Sequence, residues 1–199
     1  MSTIRALSFL LAVPVAAAQE LSIPESSLAG ASVVARGDAG SSPEREDGGL
    51  VLHLEAPARG ALSIPAGAIE PGRHALAIEV RGEVVGALVV EARGAEEVEA
   101  VPGPFSVTGI EGSSLTLTRD MPSAGWSFEV EGFEDLGRWI VVRAVEVRPE
   151  GMAAQAITPT PMRIDLAGVG RGRRVLVIET KRGRGDFVPA HALAIDVGD

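Results

Sequence analysis

The chain has 199 residues, 46% of them hydrophobic, a formal net charge of −9, and neither cysteine nor tyrosine. The acidic balance argues against a nucleic-acid ligand. The missing cysteine excludes disulfides and any lipid anchor on an N-terminal cysteine, so stability has to come from apolar burial.

Residues 1–18 read as an export signal. Arg5 makes a short positive start, Ala6–Val15 is an apolar stretch too short to span a bilayer, and Ala16-Ala17-Ala18 supplies small residues for cleavage. Removing them takes the net charge from −9 to −10, because Arg5 is their one charge. No later apolar run approaches the length of a membrane-spanning helix. The expected location is therefore periplasmic or extracellular.

Beyond residue 18 helix signals are nearly absent, and short apolar runs alternate with Gly, Pro and Ser. Leu50, Leu52 and Leu54 alternate with Val51, His53 and Glu55, and Leu76, Ile78 and Val80 alternate with Ala75, Ala77 and Glu79. Leu115 and Leu117 repeat the pattern, as do Leu193, Ile195 and Val197. Period two predicts strands with one buried face. Arg81-Gly82-Glu83 predicts a turn into Val84–Ala92 as a hairpin partner.

An internal repeat supports a divided architecture. Gly72-Arg73-His74-Ala75-Leu76-Ala77-Ile78-Glu79 lines up with Gly172-Arg173-Arg174-Val175-Leu176-Val177-Ile178-Glu179, and Gly, Arg, Leu, Ile and Glu are identical. Between the copies, the acidic stretch at 94–104 ends in Val-Pro-Gly-Pro, a composition that suits a stiffened connection. The expected organisation is a signal peptide at 1–18, a β-sandwich domain at 19–98, a linker at 99–104 and a second β-sandwich domain at 105–199.

The Pro-Gly turn feeding an alternating strand, Pro71–Val80, with its copy at Arg171–Thr180, resembles tandem bacterial immunoglobulin-like or fibronectin-III-like domains. The resemblance implies an all-β fold of two tandem antiparallel sandwiches and says nothing of function. Antibody-type domains are excluded, since the Cys…Trp…Cys spacing and the tyrosine corner need residues the chain lacks.

Six aromatic residues follow the signal peptide, and all lie in the second half: Phe105, Trp126, Phe128, Phe133, Trp139 and Phe187. Both tryptophans are expected in the core, where indole rings add most apolar area. A surface platform at Trp126 or Phe133 would suit a glycan. The candidate binding residues are Arg171, Arg173, Arg174, Lys181, Arg182 and Arg184, a basic cluster whose guanidinium forks suit carboxylate or phosphate. The alternative is a set of solvated charges that discourages edge pairing.

His53, His74 and His191 are scattered without a second ligand at useful spacing, so neither metal nor cofactor is expected. Gly125–Glu129 lacks the closing glycine of a nucleophile elbow, and Gly168–Arg173 lacks the last glycine of a dinucleotide fingerprint. Glu134 and Asp135 are adjacent on a strand, point apart and cannot flank one bond. The expectation is a non-enzymatic binding or assembly protein of the bacterial envelope. Its partner would be an envelope protein or an anionic glycan or lipid headgroup, and strand addition at an open sheet edge is one mode. A periplasmic assembly chaperone is the alternative, although the anchoring Arg/Lys pair of that family is not recognisable. A glycan-binding module and a small secreted hydrolase stand behind it.

Overall fold

The computed structural model describes residues 21–22, 33–35, 42–55, 62–65, 67–94, 97–151 and 154–198. The expected signal peptide at 1–18 lies outside the described residues. Fifteen strands follow one another with no helix among the described residues: β1 (Leu21–Ser22), β2 (Val33–Ala35), β3 (Glu44–Glu46), β4 (Gly49–Leu54), β5 (Leu62–Ile64), β6 (Gly72–Val80), β7 (Glu83–Ala92), β8 (Val98–Val101), β9 (Ser106–Glu111), β10 (Ser114–Met121), β11 (Ser127–Leu136), β12 (Trp139–Val147), β13 (Thr158–Asp165), β14 (Gly172–Arg182) and β15 (Val188–Val197). Among the described residues no helix is long and apolar enough to cross a membrane.

The strands form three sheets, ordered β3-β4-β6-β7-β8-β2-β5, β1-β15-β14-β12-β11 and β13-β10-β9. The β6–β7 hairpin turns on Arg81-Gly82, as the sequence predicts. Val80 pairs with Glu83, and both turn residues have positive φ, 53° and 86°. That is the backbone a two-residue hairpin loop requires.

The repeat in sequence is matched by a repeat in pairing. Parallel pairing sets Leu50 opposite Leu76 in β4–β6 and Ile140 opposite Leu176 in β12–β14. In the hairpins that follow, the register slips by a bulge between Ile78 and Glu79 in one, and between Ile178 and Glu179 in the other.

Period two holds, but the expectation of one buried face does not. In β6 every residue from Ala75 to Val80 is buried. One face of the first sheet contributes Leu50, Leu52, Leu76, Ile78 and Val90 to a core that also holds Ile64 of β5. β5, at one end of the sheet order, shares this core with β4, one strand in from the other end, so the sheet curls back on itself. The opposite face contributes Val51, Ala75, Ala77 and Val89 to a second core, with Trp139, Val141, Val175, Val177, Ala192 and Ala194 of the five-stranded sheet. Small residues dominate there because two sheets approach face to face. The far side of the five-stranded sheet gives Ile140, Val142, Leu176 and Ile178 to a third core, completed by Leu115, Leu117, Met162 and Ile164 of the three-stranded sheet. Each buried Leu or Ile contributes about 1.5–3 kcal/mol.

Trp139 joins the two larger sheets. Its ring is 1% exposed, and its Nε1 donates to Glu46 Oε2 at 2.7 Å. A Cβ on Gly48 would lie 2.2 Å from the indole Cγ, so the β3–β4 turn has to be glycine for the ring to fit. Two placements depart from simple sequence order. Leu21 and Ser22 pair with Val197 and Asp196 of β15, and Val98–Val101, partly inside the expected linker, forms a strand paired with β7. Val98 is buried in the curled sheet's core, which draws that stretch into the ladder.

Candidate functional site

The ends of β10, β12 and β14 meet at one place. Glu146, near the end of β12, is buried and holds Arg119 of β10 at 2.6 Å on one oxygen. Arg182, at the end of β14, sits on the other oxygen. Burial raises the Glu146 carboxyl, but the Arg182 hydrogen bond and the charges of both arginines outweigh it and hold it below the usual carboxylate range. The sequence carried a signal for this residue. Ile140, Val142 and Ala144 occupy the buried phase of β12, and Glu146 continues it.

Around this carboxylate the aromatic residues collect. Arg119 lies 5.8 Å from the Phe105 ring centroid, and Phe105 packs against Phe128 at 5.3 Å and against His191 at 6.0 Å. Burial depresses His191 to about 4, so its ring is neutral at physiological pH. A Cβ on Gly103 would lie 1.8 Å from its Nδ1, so this glycine closes directly over the imidazole.

Trp126 departs from the expected core position and is partly exposed. It precedes β11 in the loop from β10, where no apolar layer covers it. Its Nε1 donates to Ser123 Oγ at 3.0 Å, and the guanidiniums of Arg148 and Arg182 each lie 5.6 Å from its ring centroid. The loop at 122–126 is tied to residues 154–157 by the Ala124 N–H, which donates to Ala154 O at 3.2 Å. Between them runs a groove of about 620 Å³ lined by Pro122, Ser123, Trp126, Arg148, Pro149, Gly151 and Gln155. Among the described residues Arg148 has no carboxylate partner. Ile157 follows on the same loop and is 75% exposed.

The basic cluster is not brought together. Residues 171–174 and 181–184 sit at opposite ends of β14, roughly 25–30 Å apart for an extended strand. Arg173 forks onto Asp196 at 2.9 and 3.0 Å and reaches Val84 O on the neighbouring sheet at 3.4 Å. Arg174 is buried, bonded to Asp135 and to Gly170 O. Arg171 is exposed and engaged. At the other end Lys181 pairs with Glu131 at 2.9 Å and lies 4.2 Å from the Phe187 ring, and Arg182 serves Glu146. Arg184 is exposed, with no ion pair among the described residues. Of the six, Arg182 lies at the Trp126 ring.

Elsewhere, β11 is a sheet edge, exposed along most of its length, with Phe133 40% and Val130 39% exposed. Glu134 pairs with Arg143, and Asp135 with Arg174, so these adjacent carboxylates serve different cations. Among the described residues no group of three His, Asp or Glu could hold a metal ion. Comparison with protein-family models, with curated proteins and with solved structures found no match.

Proposed function

We propose that the chain is an exported, non-enzymatic binding protein of the bacterial envelope. In this reading two tandem, duplicated β-sandwich units of immunoglobulin-like or fibronectin-III-like type carry a contact surface at the loop end around Trp126, and that surface engages an anionic partner. One observation carries the reading. Arg148 stands at a partly exposed aromatic ring without a carboxylate among the described residues, while Arg119, Arg138, Arg143, Arg173, Arg174 and Arg182 are all paired. A cation left open beside a groove is suited to a ligand's anion. The test replaces Arg148 and Arg184 together with serine and follows salt-dependent retention on an anionic matrix and on envelope fractions. The double variant should elute at clearly lower salt; unchanged elution removes the proposal.

A second reading, assembly by strand addition, rests on β11. It is a long edge strand with two exposed apolar residues, the kind of edge to which an extended segment of another protein can pair. Replacing Val130 and Phe133 with lysine should then abolish co-purification of a periplasmic subunit. The wild-type complex should protect β11 amides from hydrogen exchange, and a complex with unprotected β11 amides rules this reading out.

A further inference from the structure

We propose that the groove beside Trp126 takes an acidic saccharide, a sugar ring carrying a carboxylate; this rests on the anionic-partner reading above and names its ligand. The geometry supplies the complementary parts. The indole is pinned by its Ser123 hydrogen bond and partly exposed, and the part of its ring that the Arg148 and Arg182 guanidiniums leave uncovered can meet the polarised C–H groups of a sugar ring. Arg148 stands beside that ring with a planar fork suited to a carboxylate. Gln155 lines the same groove, and its amide both donates and accepts, as sugar hydroxyls require. Thr158 pairs with Met121, which brings the exposed Ile157 next to Pro122 of the groove wall. Arg182 is held on Glu146 and keeps its place at the ring without being the free cation.

A purely ionic ligand would use the cation and leave the ring and amide idle. An extended anionic surface would also meet a chain whose own net charge is −9. A small ring with one acidic group uses all three parts and meets little of that repulsion.

The full chain is titrated with tri-galacturonate and, in parallel, with its methyl ester. Trp139 is 1% exposed, so a change in tryptophan emission reports on Trp126. Tri-galacturonate should give a saturable change, and the ester should bind about tenfold or more weakly, the loss expected for one charge-assisted hydrogen bond. Arg148→Gln should weaken the acid by a similar factor and leave the ester unchanged. By calorimetry Trp126→Leu should abolish binding and Trp126→Phe should retain it in part, with far-UV dichroism and the thermal midpoint confirming that each variant is folded. The inference fails if the ester binds as well as the acid, or if folded Trp126→Leu binds like wild type. If phosphatidylglycerol vesicles retain the protein through Arg148 while tri-galacturonate is silent, the saccharide is overturned and the anionic-partner reading stands. If none of these probes depends on Arg148, both fall.

Discussion

In β3–β7, His53 lies between Glu44 and Glu79, at 3.6 and 2.7 Å; in β11–β15, Arg143 occupies the matching place between Glu134 and Glu179, at 2.7 and 3.1 Å. The backbone registers around the two clamps correspond, since His53 faces Glu79 across a parallel pair as Arg143 faces Glu179. What surrounds them differs. Glu79 is buried and also reaches Arg138 at 3.4 Å, so the first clamp joins two sheets. The second is more open, with Arg143 5.9 Å from the Phe187 ring. Bulk differs in the same sense. Trp139 opposes Leu136 where Gly49 opposes Glu46, and His191 opposes Ile178 where Gly86 opposes Ile78. At the indole the first stretch yields space and the second fills it, since Gly48 and Gly49 close on Trp139, whereas His191 lies under Gly103 and against Phe105.

The most damaging way to break this pairing is to remove the indole. Trp139→Ala should cost about 3–5 kcal/mol in urea unfolding, the range for a large buried aromatic. A loss below about 1 kcal/mol would mean the sheets do not depend on it. Acid should separate the copies next. His191 is neutral in the fold, with its pKa depressed to about 4 from 6.5, so its contribution is complete above pH 6.5 and is lost as pH falls from 6.5 towards 4. The loss should amount to about 3 kcal/mol. It should be absent in His191→Leu, and β15 amides should exchange before those of β7 at pH 5. Gly48→Ala crowds the indole from the receiving side and should cost about 1–3 kcal/mol, as overpacking does. The smallest effect should come from making the clamps alike. His53→Arg keeps both Glu44 and Glu79 partnered and should change the urea midpoint less than any of the other variants.

Much of the strand pattern was legible because alternation is a direct record of the pleat. Leu76 and Ile78 against Ala75 and Ala77 gave the strand, and Arg81-Gly82 gave its turn. The burial of Ala75 and Ala77 was not legible, because small residues on a second face suit either a solvent-facing strand or a close sheet-to-sheet contact. Trp139 was read as core, and its apolar neighbours Ile140–Val142 carried that signal. Trp126 was misread because Pro122 and Gly125 place it in a loop rather than a strand. The basic cluster was compact in sequence and spread in space, since a strand moves each residue about 3.3 Å further on. Arg148 and Trp126 meet only through the antiparallel β11–β12 register, which sets Ser127 opposite Val147 and cannot be read from spacing alone.

The pairing of Leu21–Ser22 with Val197–Asp196 has a consequence for how the molecule is made. A ribosome or a translocation pore delivers residue 21 long before residue 197, so this ladder cannot close during elongation. The early segment has to wait, unzipped, while residues 23–195 emerge. Nascent chains shortened by one strand should therefore leave Leu21 open to proteases, and this rung should form only once residue 197 has emerged.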